Sequence, residues 1–380
     1  MLHYIVYNKI QIMCGIMSCK GEKRILFVQN NYPGFLKSLY DKYPNWKDLS
    51  YSQLKDNWSK ELFGHSNFYS KHLNSLGWKT KEVIFNDTSM QSRWLKESGV
   101  VVKIPFLNSK KRIFWRQVED FKPDIVYMHN FSILNVKDLK KLKKKTRLVV
   151  GQIACPLPAN KEVLKQYDLI ISSFPHYVEK FESWGINSEY LKWCFEGSIT
   201  REIKSKKKKY DVVFIGGFSH HHSKGNKVME SLARNVRVDF WGYGVDSLPP
   251  LSLIRKTYHG QAWGKDMFKI FSQAKIVVNR HIGVSENIAN NMRMFEVTGM
   301  SALLITDHKA NLSDFFDVGK EVISYKDDKT LISSVKYYLK HDKERERVAR
   351  LGQKRALKDH TYKVRMKELS KMLSKHLSNI

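Results

Sequence analysis

From Arg24 onward the chain alternates short apolar runs with segments of helical period. The runs Arg24–Gln29, Val83–Phe85, Asp124–Met128, Arg147–Gly151, Asp168–Ser172 and Glu189–Lys192 predict strands. Between them the spacing of apolar residues predicts helices over Glu61–Leu76, Phe114–Phe121, Val136–Leu142 and His176–Trp184. Several of these stop at a glycine or just before a proline, as at Gly77, Pro123 and Gly185. Runs this rich in Val, Ile and Leu, separated by helices, belong to a parallel sheet covered on both faces.

The pattern then restarts. Arg201–Lys209 is polar and charged and reads as a linker rather than a core element. Tyr210–Gly217 opens a second strand series, with a helix expected over Asn226–Arg234. Val236–Trp241, Lys275–Val278, Ala302–Ile305 and Glu321–Ser324 continue it. The end is helical over Leu331–Leu339, Glu344–Leu357 and Tyr362–Leu377. The expected architecture is α/β: two doubly wound, Rossmann-like domains, 23–200 and 210–360, facing a cleft, with a linker at 201–209 and a terminal helix in 361–380. Residues 1–22 lack the ordered regions of a signal peptide and read as an appendage or a mis-called start. No apolar run approaches the roughly 18 to 20 residues that cross a bilayer.

Composition narrows this picture. A hydrophobic content of 42%, with 12% aromatic, supports a packed interior and excludes a disordered chain. Lys and Arg number 66 against 37 Asp and Glu, a net charge of +29. Such a field attracts nucleic acid, anionic membrane or phosphorylated substrates; a lysine-biased surface coat is the plainer account. Nucleic-acid binding is the weaker reading, because no RNP, KH, helix-turn-helix or zinc-finger signature is present. Cys14, Cys19, Cys155 and Cys194 form no CxxC pair and no zinc spacing, which fits a reducing cytoplasm.

Chemistry concentrates in Asn291–Gly299 and the apolar run Ser301–Asp307 behind it. Arg293 and Glu296, three apart, share one helix face, and Gly299 suits a left-handed C′ position. A carboxylate pairs well with ribose hydroxyls and a guanidinium with phosphate, beside a strand end where open α/β sheets bind ligands.

The second half resembles the glycosyl-transferase group 1 region of GT-B glycosyltransferases, in the spore-maturation CgeB-like branch. The resemblance rests on Asp211–Phe218, Trp241–Gly244, Ala274–Asn279, Arg293–Gly299 and the pattern from Leu331 to Arg365. Tyr32–Phe35, Gly64–Ser70, Phe121–Tyr127, Gly151–Ala154 and Tyr167–Ile171 resemble the matching acceptor domain. This likeness implies transfer of a sugar from a nucleotide-diphosphate donor to a glycan or lipid-linked acceptor. It also implies no cofactor and no metal, protein cations and helix N-termini standing at the leaving diphosphate, and a last helix crossing back to the first domain. Surface-polysaccharide assembly in the cytoplasm, at the inner face of the membrane, is the context it suggests.

By the same resemblance Glu296 holds the donor ribose and Lys224 the diphosphate, with Gly216 and Gly217 letting the backbone approach it. The family's second acid, eight positions before Glu296, is Ile288 here, and Glu286 is out of register. Its arginine after the glycines is Phe218, so Arg280 or Arg293 would supply the cation. His281 is a candidate polar liner of the donor side, against an ordinary structural histidine. His220–His222 cannot all face one ion, so no metal site is expected there. On the acceptor side, His129 ends a strand where such enzymes contact the transferred sugar. It is the candidate catalytic base if the reaction inverts; Glu296 favours retention. Asn30, Asn31 and Tyr32 follow the first strand, and His65 is a further candidate. Lys137–Lys145 admits an anionic membrane surface as partner, although Leu139 and Leu142 on one face also suit a solvated helix. A sugar-nucleotide epimerase on the same fold is the remaining alternative.

Overall fold

The computed structural model describes residues 22–99, 109–204, 207–219, 222–289 and 291–379. Residues 1–21, all but the last residue of the expected appendage 1–22, and His220 and His221 lie outside the described residues. Six parallel strands form the first sheet: β1 (Arg24–Gln29), β2 (Lys79–Ile84), β3 (Ile125–Met128), β4 (Leu148–Ile153), β5 (Leu169–Ser172) and β6 (Ser188–Tyr190). Their order is β2-β1-β3-β4-β5-β6. Five more form the second: β7 (Tyr210–Gly217), β8 (Asp239–Tyr243), β9 (Ala274–Asn279), β10 (Leu303–Asp307) and β11 (Ile323–Tyr325), in the order β11-β10-β9-β7-β8. Every paired strand is parallel. Together the two sheets make the GT-B architecture.

Each sheet reverses its strand order once, between β1 and β3 in the first and between β7 and β9 in the second. A doubly wound sheet opens its ligand crevice at that reversal, beyond the carboxyl ends of the flanking strands. Asn30, Asn31 and His129 therefore sit at one switch point, and Gly216, Gly217 and Arg280 at the other.

Residues 61–67 are not the start of a long helix. Leu62, Gly64 and Ser66 adopt positive φ, and the helix runs only over Phe68–Asn74. Four helices of ten residues carry no expectation from the sequence: Pro33–Lys42, Tyr51–Lys60, Thr88–Glu97 and Gly264–Gln273. Ser50 and Gln53 form a capping box at the second, and Asp87 caps the third. The linker is only partly free. Ile199–Glu202 is helical, and the Lys208 ammonium is half buried, donating to the carbonyls of Ser272 and Ser301 at 3.1 and 3.3 Å.

The last helix, Tyr362–Ser378, crosses back and covers the first domain. Leu369, Leu373 and Leu377 share a buried cluster with Phe68, Leu73 and Trp78, and Trp78 Nε1 donates to Ser370 Oγ at 2.8 Å. The first turn of helix Gly264–Gln273 docks on the other side, where Lys265 N donates to Glu61 O at 2.8 Å. Gly264 has φ 47, and a Cβ there would strike the Glu61 carbonyl. Among the described residues no helix is long and apolar enough to cross a membrane. Leu139 and Leu142 are fully buried, so the lysine-rich helix Val136–Lys143 keeps no apolar face for a bilayer.

Candidate active site

The donor-side residues gather on the second sheet. Helix Met292–Gly299 is capped by Asn291, whose side chain accepts from Met294 N. Arg293 and Glu296 do meet on one face, with Nη1 and Oε2 2.7 Å apart. Glu296 is buried. Burial raises its carboxyl above the ordinary range, and the Arg293 guanidinium opposes that rise. Arg293 also lies over the Phe271 ring, which holds the pair against helix Gly264–Gln273. Gly299 is the last residue of the helix rather than a left-handed cap, and the positive φ falls on Ser301. The glycine is needed for another reason: a Cβ there would sit 2.5 Å from the Phe195 ring.

Gly216 and Gly217 close β7, but rings crowd them. A Cβ on Gly217 would lie 2.7 Å from His222 Nε2 and 2.8 Å from the Tyr243 ring. Helix Ser223–Ala233 starts just beyond, and Lys224 is exposed in its first turn. Gly225 admits the Arg280 guanidinium against that same turn. Two cations thus flank a helix N-terminus, a place suited to an anion. Phe218, where the resembled family has arginine, is fully buried among Phe214, Phe240 and Tyr258.

His281 does not line the cleft. It is buried, Nδ1 meeting Asp307 Oδ1 at 2.7 Å and Nε2 meeting Met294 Sδ at 3.2 Å, so it braces the ends of β9 and β10. Ile288 packs with Val284 on an apolar cluster of the first domain. A carboxylate at that position would face this apolar cluster. Glu286 is exposed.

On the first sheet His129 and His65 are brought together. Their rings stack at 4.5 Å, and His65 stacks in turn on Trp193 at 5.2 Å. Burial pushes His65 down to about 4 and His129 well below the ordinary histidine value, so both are neutral at pH 7. Burial of the two rings makes each a weaker base than a solvated imidazole. The two histidines line a cavity of ≈ 370 Å³ with Gln152, Phe131, Cys155 and Trp193. Gln152 and Trp193 were not singled out from the sequence.

Asn31 is buried; its backbone N and O pair with the Asn86 side chain at 2.9 and 2.7 Å, while its own Nδ2 is buried without a partner. Asn30 Oδ1 is buried without a partner. Tyr32 reaches across the cleft, its ring 5.3 Å from Tyr243 and 5.4 Å from Trp263. Two residues join the halves of the site. Tyr243 touches Gly217, His222 and Tyr32 and feels the charge of Arg293. Tyr362, on the crossing helix, brings its hydroxyl to 3.3 Å from His65 Nδ1 and feels the Glu296 carboxylate. Among the described residues no cluster of three or more His, Cys, Asp or Glu could hold a metal ion.

The stacked imidazole pair thus belongs to the first Rossmann-like domain and the arginine–carboxylate helix to the second. Residues 224–371, which carry Lys224, Arg280, Arg293 and Glu296, match the family model described as glycosyl transferase-like. A glycosyltransferase of Rickettsia africae ESF-5 is similar in structure, with TM-score 0.60 and 9% identity, covering 95% of this chain and 100% of that one. Sucrose-phosphate synthase from Thermosynechococcus elongatus gives 0.59 at 9% identity over 94% and 100% of the two chains. HepE of Anabaena, solved with UDP and glucose, gives 0.59 at 10% identity over 93% and 100%. No curated protein matches. Residues 224–371 are therefore glycosyl transferase-like, within a chain of GT-B fold.

Proposed function

We propose that this chain transfers a sugar from a nucleotide-diphosphate donor to a glycan or glycoconjugate acceptor. The observation that carries the reading is the pairing of Glu296 with Arg293 on the helix facing the cleft, inside the segment matching the transferase family. Glu296 would hold the ribose hydroxyls, while Lys224 and Arg280 would meet the diphosphate at the N-terminus of helix Ser223–Ala233. Those cations and the helix end would take the place of a metal at the leaving group. HepE is solved with UDP-glucose as well, which puts UDP-sugars first among donors to try. Retention of the anomeric configuration is favoured by Glu296, with His129 the candidate base if the reaction inverts. The CgeB-like branch and a role in bacterial surface-polysaccharide assembly, with the basic surface against an anionic membrane, complete the proposal.

The test is isothermal titration against UDP-, GDP-, CMP- and TDP-sugars. Binding of one nucleotide class at micromolar affinity is the expected result. A folded sample that binds none of them would overturn the reading. Once a donor is found, NMR of the product anomer decides retention.

A further inference from the structure

Trp263 belongs to the second domain, one residue ahead of helix Gly264–Gln273, yet it packs on the first. Its ring lies 5.4 Å from Tyr32, stacked at 30°, and 5.0 Å from Phe63, edge-on at 84°. Phe63 stacks in turn on buried Phe35 at 4.5 Å. Trp263 Nε1 donates to Gln261 Oε1 at 3.1 Å, and both side chains fill space that Gly34 leaves open. A Cβ on Gly34 would lie 2.1 Å from that oxygen and 3.2 Å from the indole. Tyr243, at the end of β8, adds a further ring. It lies 5.3 Å from Tyr32 and is nearly parallel to Trp263, at 9°.

Tyr32 therefore rests against two rings of the other domain at once, and every partner is a side chain of this protein. Aromatic pairs at such spacings each shift an equilibrium by about two- to tenfold beyond the area they bury. The backbone joins the same interface, where Lys265 N donates to Glu61 O at 2.8 Å. Lys265 lies in the first turn of its helix, where amides have no acceptor in the helix itself. We propose that Trp263, seated among Tyr32, Gly34 and Phe63 and flanked by Tyr243, is a clasp that holds the two domains closed without a ligand to draw them together.

The clasp follows from the ring geometry; its use rests on the transferase reading. Tyr243 crowds the Gly217 turn on one side and meets Tyr32 on the other. The donor side is thereby fixed against the first sheet before binding. A ligand that touches both halves meets a preformed cleft and does not have to order two domains.

The experiment is residue-resolved hydrogen exchange of the full chain without ligand. The Lys265 amide exchanges only when its bond to Glu61 breaks, so it reports separation of the domains at this point. Wild type should protect it, and Trp263→Ala and Tyr32→Ala should each speed its exchange by about tenfold. Trp263→Phe should restore most of the protection, and amides inside the helix, from Phe268 to Phe271, should keep their wild-type rates. A wild-type Lys265 amide as fast as a free one, or an unchanged rate in both alanine variants, overturns the proposal. Equal acceleration of the helix interior marks fraying of the helix itself and also overturns it. Tyr32 is 49% exposed, so Tyr32→Ala decides if Trp263→Ala does not fold. Small-angle X-ray scattering adds a second reading, with calorimetry to establish binding. Wild type should keep its radius of gyration when UDP-glucose binds, while the alanine variants should start larger and contract. Contraction of the wild type overturns the clasp. Failure of UDP-glucose to bind any of the proteins counts against the transferase reading and leaves the exchange result standing.

Discussion

Replacing Glu296 by Gln should move binding and stability in different directions, which makes it the sharpest probe of the site. The carboxylate is buried and bonded to Arg293 at 2.7 Å. Gln keeps the shape and can still accept from the guanidinium, so the helix stays in place. A hydrogen bond to a charged group is worth about 1.5–3 kcal/mol, and the ribose should lose that much on neutralisation. At 1.4 kcal/mol per tenfold this is on the order of 10- to 150-fold in nucleotide affinity. Stability follows the opposite logic. Burial raises the folded carboxyl above its unfolded value, so the fold binds that proton more tightly. Stability therefore falls as pH rises from the ordinary carboxyl range to the raised folded value and is level above it. Glu296→Gln removes that slope and should be neutral or stabilising at pH 7. The assay is calorimetric titration with UDP and uridine, together with thermal melts from pH 4 to 8. His129→Ala, on the other domain, should spare UDP affinity. Equal losses of UDP affinity in the two variants would place the donor site in the wrong half and refute the reasoning.

Lys224→Ala should weaken UDP more than uridine, because its partner would be phosphate, and should lower turnover where charge develops on the leaving group; titration of both ligands checks it. Gly299→Ala pushes a methyl into the Phe195 ring and should cost about 1–3 kcal/mol in chemical denaturation, with little change in the mid-point slope. Burial alone would raise Glu196, but hydrogen bonds from His72, Ser198 and Lys71 hold it at about 2. Its stabilisation is present above the ordinary carboxyl range and is lost as pH falls toward 2. Urea midpoints measured across that range should fall less steeply in Glu196→Gln than in the wild type.

The sequence showed the sheets better than their connections. Strand cores such as Leu148–Val150 and Ile276–Val278 are continuous apolar runs, and no competing structure buries them as well. The expected helix over Glu61–Leu76 failed because Leu62, Gly64 and Ser66 hold positive φ, which breaks the helix before Phe68. The Arg293–Glu296 pair was legible because its partners are three residues apart on one helix face. Gln152 was not, since its tyrosines lie 83 and 25 positions away. Tyr362 is 297 positions from His65, and no periodicity reports a contact of that span. His281 looked like a cleft residue from its place after β9, but that position alone does not show that Asp307 takes up its imidazole.

The crossing helix also bears on how the site comes into being during synthesis. A ribosome delivers the first sheet, with His65 and His129, long before Tyr362 emerges. Until then the apolar groove that Leu369, Leu373 and Leu377 will fill is open to water, and His65 lacks its tyrosine neighbour. The nascent first domain is therefore an unfinished half, dependent on residues more than two hundred positions downstream and exposed to misassociation while it waits. Completion of the cleft is one of the last events of folding.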